Sequence, residues 1–179
     1  SFTLEDETLR GARELVARAG LPGVHIHVAR LAGGVRPLLL LHGWPEFWLT
    51  WLPVMQGLAA RGYDVIAPDL RGFGESGEPD QAPSDQAGAG VHANDMLALI
   101  DALGFDRIGL VAHDVGAFVA QPMARQAPRR LRGIFLFDCP YAGIGARWSA
   151  PEHLKEIWYQ SFHQKPFAAQ LIGSSREAC

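Results

Sequence analysis

The sequence predicts an α/β fold, a mostly parallel sheet with flanking helices. Three observations predict it. Leu38–Leu41 and Arg107–Ala112 read as strands buried on both faces, because such strands lack polar alternation. Amphipathic stretches alternate with these runs, as crossover helices over a parallel sheet do. The chain has 179 residues, 48% of them apolar, which suffices for one domain with a sizeable core and a little more. No internal repeat is visible.

Taken in order, Leu4 to Ala19 has helix-like apolar spacing that Gly20 and Pro22 end. Val24 to Val28 alternates strictly, the pattern of a half-buried strand, and places His25 and His27 together as surface residues. Gly33-Gly34 turns the chain into the run Leu38–Leu41. A helix is expected over Leu49 to Ala60 and a strand at Val65–Ala67. Gly72 to Gly90, rich in Gly, Pro, Asp and Ser, reads as an extended loop. Met96 to Leu103 is an amphipathic helix that Gly104 closes. Arg107–Ala112 is a strand, Phe118 to Gln126 a helix and Leu131–Phe137 a further strand. After Pro140 the character changes. Ser149-Ala150-Pro151-Glu152 matches a capping box, opening a helix that carries Leu154, Ile157, Trp158 and Phe162. Pro166 begins another helix, closed by Gly173, and Ser175 is placed to cap a third. The division expected is a core over 1–140 and the beginning of a helical cap over 141–179.

Composition narrows the function. A net charge of −3 gives no footprint for nucleic acid or an anionic membrane, and Leu38–Leu41, the longest apolar run, is too short to span a bilayer. Cys139 and Cys179 make no disulfide framework, so a reducing cytoplasm is expected. Ser1 opens the chain without a signal-peptide pattern, which is compatible with a leader removed ahead of it.

The chemistry gathers at Asp114. Ile108 to Ala117 reads as a strand running through Ala112-His113-Asp114-Val115-Gly116-Ala117 into a helix. Small residues at 112, 116 and 117 let the backbone turn sharply, so residue 114 projects from the carboxyl edge of the sheet. There it faces the N–H groups of a helix N-terminus, which favour its charged, nucleophilic form. The alternative is an Asp that merely caps the helix, which does not require small residues on both sides. A carboxylate in the place of the usual elbow serine attacks an sp³ carbon and forms an alkyl-enzyme ester, so the substrate needs a leaving group on carbon. An epoxide or an alkyl halide fits. Water must then attack the acyl carbon, which calls for a base and an oxyanion hole. Leu40 to Trp48 stands where the second donor belongs, with the N–H groups of Trp44 and Val115 as the expected pair. His42 is expected to hold that loop as a structural residue, and His113 to point away from residue 114 if the strand continues. The chemistry requires no metal and no cofactor.

Three stretches, His42-Gly43-Trp44-Pro45-Glu46, Asp69-Leu70-Arg71-Gly72-Phe73-Gly74-Glu75-Ser76 and His113-Asp114-Val115-Gly116, resemble the epoxide hydrolases of the α/β-hydrolase fold and their dehalogenase relatives. The second supports the fold only, whereas the first and third together are fairly specific. The resemblance implies a C-terminal part absent from this sequence: more cap, two more strands and a histidine near the C-terminus, supplied by a longer product or a second chain. In the family the catalytic acid follows either of two strands, and by resemblance to the branch in which it follows the strand after the nucleophile helix Asp138 is the catalytic acid, with capping of the cap-domain entry as the alternative. Tyr159, in Trp158 to Pro166, would by the same resemblance donate a proton to the epoxide oxygen; the alternative is an amphipathic core tyrosine. Trp44, Phe47, Trp48 and Trp158 would line an apolar pocket for a small apolar epoxide, or serve as core residues. Haloalkane dehalogenases carry Trp after the nucleophile and fluoroacetate dehalogenases Arg. Here Val115 stands there, which favours epoxides. The runner-up readings are a dehalogenase using the same Asp114, and an inactive or incomplete fragment, since there is no histidine after His163 and none stands where the family places its base.

Overall fold

The computed structural model describes residues 12–14, 25–77, 88–139 and 145–173. The chain forms two compact units, Ser1–Cys139 and Pro140–Cys179.

Among the described residues of the first unit six strands form one sheet: β1 (Ala12–Glu14), β2 (Val28–Leu31), β3 (Arg36–Leu41), β4 (Tyr63–Pro68), β5 (Ile108–His113) and β6 (Leu131–Phe137). Their order is β1-β2-β4-β3-β5-β6. β1 and β2 run antiparallel to their neighbours, and β4, β3, β5 and β6 are mutually parallel. Helix α1 (Leu52–Ala59) links β3 to β4, α2 (Ala89–Ala102) precedes β5, and α3 (Asp114–Gln126) links β5 to β6. The chain leaves β3 towards β4 on one side, while β5 and β6 fill the other. The carboxyl ends of β3 and β5 therefore meet at the switch point of the sheet, where open α/β folds bind ligands.

The sheet is covered on both faces. Leu39 and Leu41 face a core that includes Met96, Leu99, Ile100 and Met123 from α2 and α3. Leu40, between them, faces Trp51 and Met55 on the opposite side. Because successive side chains alternate, the run Leu39-Leu40-Leu41 serves two layers at once. Each fully buried leucine contributes about 1.5–3 kcal/mol.

Several expectations are corrected. A helix over 4–19 is not what forms at Ala12–Glu14, which is strand β1 pairing antiparallel with β2 (Ala12 opposite Leu31); the rest of that segment lies outside the described residues. A short segment beside an open sheet edge is captured by backbone pairing whatever its apolar spacing. The strand expected over 24–28 starts later, at Val28, because the His27 N–H is taken by the Ser76 hydroxyl at 3.0 Å. His27 is no surface residue: it is buried against Asp69, while His25 is exposed and bonded to the Glu75 carbonyl. α3 begins at Asp114 itself and not at Phe118. Among the described residues no helix is long and apolar enough to cross a membrane.

Among its described residues the second unit holds a 3-10 turn at Gly145–Ser149 and three short α-helices, α4 (Pro151–Glu156), α5 (Trp158–His163) and α6 (Pro166–Gly173). Phe162 joins α5 to α6, its ring 5.9 Å from that of Trp158 on its own helix and 5.9 Å from that of Phe167. Here the capping box does not form. Ala150 is the N-cap of α4, and the Ser149 hydroxyl donates back to the Ala146 carbonyl at 3.3 Å, a local bond that competes with capping. The helix expected to carry Leu154 through Phe162 is broken at Ile157, whose backbone leaves the helical region at φ −100, ψ 24. The cap expected at Ser175 lies outside the described residues.

Candidate active site

Asp114 occupies a left-handed backbone conformation, φ 45, immediately after β5. For a non-glycine residue this costs about 1–2 kcal/mol, so its surroundings must enforce it. Gly116 does so. Its N–H donates to the His42 carbonyl at 3.0 Å, and a Cβ there would lie 2.6 Å from the Leu41 carbonyl oxygen and 2.7 Å from that of His42. The start of α3 is thus pressed against the end of β3, and Ala112 and Ala117 are fully buried beside it.

The loop after β3 answers from the other side. Trp44 N–H donates to Asp114 Oδ2 at 3.0 Å, across a span of seventy residues. Gly43 makes the approach possible: a Cβ on it would lie 2.8 Å from His113 Nδ1 and 2.9 Å from Asp114 Cβ. The peptide bond Trp44–Pro45 is cis. Gly43 N–H donates to Glu46 Oε2 at 2.9 Å, closing the loop on itself. His42 is buried beneath it, with Nδ1–H donating to the Gly43 carbonyl at 2.8 Å and Nε2 accepting from Leu70 N–H at 2.9 Å. Burial pushes its pKa below the ordinary histidine value and outweighs the opposing Gly43 bond and nearby carboxylates. A neutral His42 with both nitrogens engaged is a structural brace.

A buried carboxylate, that of Asp69, ties three segments together. Asp69 accepts from Trp48 N–H at 2.7 Å, from Glu75 N–H at 3.0 Å and pairs with His27 Nδ1 at 2.9 Å. Arg71 makes a bidentate pair with Asp95 of α2, at 2.8 and 2.6 Å, with both side chains buried.

Of the residues predicted for the site, the structure brings together Asp114, the Trp44 N–H and, through His113, Asp138. His113 Nδ1 lies 3.0 Å from Glu46 Oε2 and Nε2 lies 3.3 Å from Asp138 Oδ2. The expectation that His113 points away rested on a continuing strand. β5 stops at His113, and both its ring and the Asp114 side chain border Gly43. Asp138 also has a positive φ, 51, and an exposed carboxylate. Val115 is half-buried at the first turn of α3. Trp44 and Phe47 are exposed, whereas Trp48 packs against the core around Trp51 and Met55. Trp158 and Tyr159 stand on α5 of the second unit, the first exposed and the second half-buried. Sequence reasoning gave no role to Glu46 or Asp69. A carboxylate three residues after a turn glycine was the available signal for Glu46. Among the described residues no cluster of metal-ligating side chains occurs.

Comparison with known proteins gives a consistent picture. The family model described as alpha/beta hydrolase fold matches residues 36–170. Epoxide hydrolase 2 of Siraitia grosvenorii is 39% identical over 113 residues, which is 63% of this chain and 34% of that protein. The soluble epoxide hydrolase of Corynebacterium sp. strain C12 is 36% identical over 121 residues, 68% of this chain and 40% of that protein. Among solved structures, the epoxide hydrolase CorEH superposes with a TM-score of 0.79 at 32% identity, covering 92% of this chain and 56% of its own. The epoxide hydrolase VrEH1 from Vigna radiata gives 0.76 at 28%, covering 93% and 54%. The chain therefore spans less than half the length of these two curated relatives and just over half of these two structures.

Proposed function

The chain belongs to the α/β-hydrolase fold family, and we propose that within it the protein hydrolyses epoxides to vicinal diols through an ester on Asp114. The observation that carries this reading is the Asp114 carboxylate, borne on a backbone at φ 45 and held by Trp44 N–H at 3.0 Å. A serine at this position would suit acyl transfer; a carboxylate suits displacement at an sp³ carbon.

In this reading one carboxylate oxygen of Asp114 attacks an epoxide carbon, the carbon–oxygen bond opens, and the alkoxide takes a proton from the Tyr159 phenol. Water then adds to the acyl carbon. Oδ2 carries the resulting negative charge, already facing the Trp44 N–H, with Val115 N–H as the second donor. Cleavage of the acyl bond releases the diol and restores the carboxylate. His42 and His113 each have both ring nitrogens bonded, so neither serves as base for this step. We assign the base to an imidazole oriented by Asp138 and supplied by the part of the fold that the relatives have and this chain does not span, in the same product or a second chain. The 141–179 segment acts as a cap in this account. Exposed Trp44 and Phe47 on the oxyanion loop favour a small apolar substrate. Val115 lacks a side-chain donor for halide or carboxylate, which supports epoxides over alkyl halides. We place the reaction in the cytoplasm, since two cysteines, Cys139 and Cys179, give no disulfide framework.

Intact-mass analysis before and after mixing with an aryl epoxide tests the reading. An adduct mapping to Asp114, or diol formation lost in Asp114→Asn, supports it. Halide release from alkyl halides without any diol from epoxides would replace it with a dehalogenase.

A further inference from the structure

His92 is a buried titratable side chain that the chemistry above does not use. It is the fourth residue of α2 and only 8% exposed, and its Nδ1 is buried without a hydrogen-bond partner among the described residues. One turn along the same face of the helix, Asp95 takes both bonds of the Arg71 guanidinium at 2.8 and 2.6 Å. The charged and titratable groups facing the ring are Asp95 from its own helix, Arg71 from the loop after β4 and His42 from the end of β3. A neutral ring forgoes a hydrogen bond here that an apolar side chain would never have needed. A charged ring is worse placed still. It would share one carboxylate with Arg71 in a buried site and stand near the N-terminal, positive end of α2.

The end of α2 that holds this ring is weakly fastened. Gly88 is the N-cap and makes no side-chain cap bond, Gly90 stands in the first turn, and no acidic residue accompanies it. A Cβ on Gly88 or Gly90 would meet nothing within 4 Å, so little packs against that turn. The His92 N–H reaches the Gly88 carbonyl at a long 3.4 Å. We propose that His92 is an acid-released fastener: when its ring takes up a proton, the first turn of α2 unwinds and carries it into water, uncovering Arg71 and the His42 brace of the oxyanion loop while the sheet stays folded. The unwinding stands apart from the epoxide reading; its consequence for turnover rests on that reading. Burial is the main cause that holds the His92 pKa below the ordinary histidine value of 6.5, Arg71 and His42 add to it, and Asp95 opposes them. The unwound turn therefore binds the proton more tightly than the wound one. The turn is fully fastened above 6.5 and loosens as pH falls below it. With one proton taken up per opening, the open population grows about tenfold for each pH unit until the ring is protonated in the wound form too.

Amide hydrogen exchange of the whole protein, corrected for the pH dependence of exchange itself, reads the open population. At His92 and Ala93 that population should rise about tenfold per pH unit below 6.5, while Val65 and Ile66 in β4 stay far better protected. His92→Leu and His92→Gln should each abolish the rise. A flat profile in the wild-type protein, the same rise in both variants, or α2 amides no less protected than those of β4 would each overturn the proposal. Ring NMR of His92 in the wild-type protein needs no variant to fold: a titration midpoint below 6.5 is expected, and one at or above 6.5 overturns the proposal. Single-turnover adduct formation with an aryl epoxide should lose rate on acidification sooner in the wild-type protein than in His92→Leu, and coinciding acid limbs would overturn the link to the oxyanion loop. A protein that never reacts with epoxides fails the epoxide reading, and the exchange and ring readouts then decide the unwinding on their own.

Discussion

Gly116→Ala is the smallest change that tests how the elbow is built. The added Cβ would sit 2.6 Å from the Leu41 carbonyl oxygen, 2.7 Å from the Leu41 carbonyl carbon and 2.7 Å from the His42 carbonyl oxygen. All three are backbone atoms of buried residues, so no rotamer change relieves them. Ordinary contact begins at 3.4 Å, so the start of α3 must withdraw by about 0.8 Å, the difference between 3.4 and 2.6. The same movement stretches the Gly116–His42 bond and carries Asp114 away from Trp44 N–H, now 3.0 Å apart, beyond hydrogen-bond range. Overpacking of this kind costs about 1–3 kcal/mol of stability. A displacement of about 1 Å at a reacting group costs roughly 10²-fold in rate. Urea unfolding of the whole protein measures the first, and the rate of adduct formation with an aryl epoxide in a single turnover measures the second. Wild-type stability together with a wild-type rate would refute the claim that close backbone contact between β3 and α3 shapes the nucleophile.

Three further outcomes follow from the same contacts. Asp95→Ala leaves Arg71 as a buried charge without its bidentate partner, and should cost about 3–5 kcal/mol by urea unfolding, much of it recovered when Arg71→Met is added. His92 is buried, and burial, with smaller contributions from Arg71 and His42, lowers its pKa against the opposing pull of Asp95. Its stability contribution is therefore intact above the ordinary value of 6.5 and is lost as pH falls below it, so His92→Leu should flatten the acid side of a Tm-against-pH curve. Tyr159→Phe should slow epoxide opening by about 10²–10⁴-fold, with less effect on epoxides whose substituents stabilise the alkoxide, as read by stopped-flow adduct formation.

How much of this was legible in the sequence depended on how local each feature is. Leu38–Leu41 announced a two-faced strand because its own residues are all apolar. The elbow was legible because Ala112, Gly116 and Ala117 are small where backbones must touch, a requirement written into six consecutive positions. His42 as a brace was readable from its place at a strand end. His27 was not: its partner Asp69 is 42 residues away, and alternation within 24–28 says only which residues share a face. The Glu46–His113 contact spans 67 residues and depends on β3 lying beside β5, which no local pattern encodes. Ser149 failed as a cap because the helix starts one residue later than expected, with Ala150 at the N-cap, while the Ser149 hydroxyl donates back to the Ala146 carbonyl. In each case the miss lies where a side chain chose a tertiary or competing local partner over the one its neighbours in sequence suggest.

Single turnover of an aryl epoxide in heavy-oxygen water tests the central claim most directly. If Asp114 forms the ester and water attacks its acyl carbon, the Asp114 peptide gains one heavy oxygen and the diol of that first turnover contains none. A labelled diol with an unlabelled Asp114 would mean that water attacks the epoxide directly, and the carboxylate-nucleophile account would be wrong.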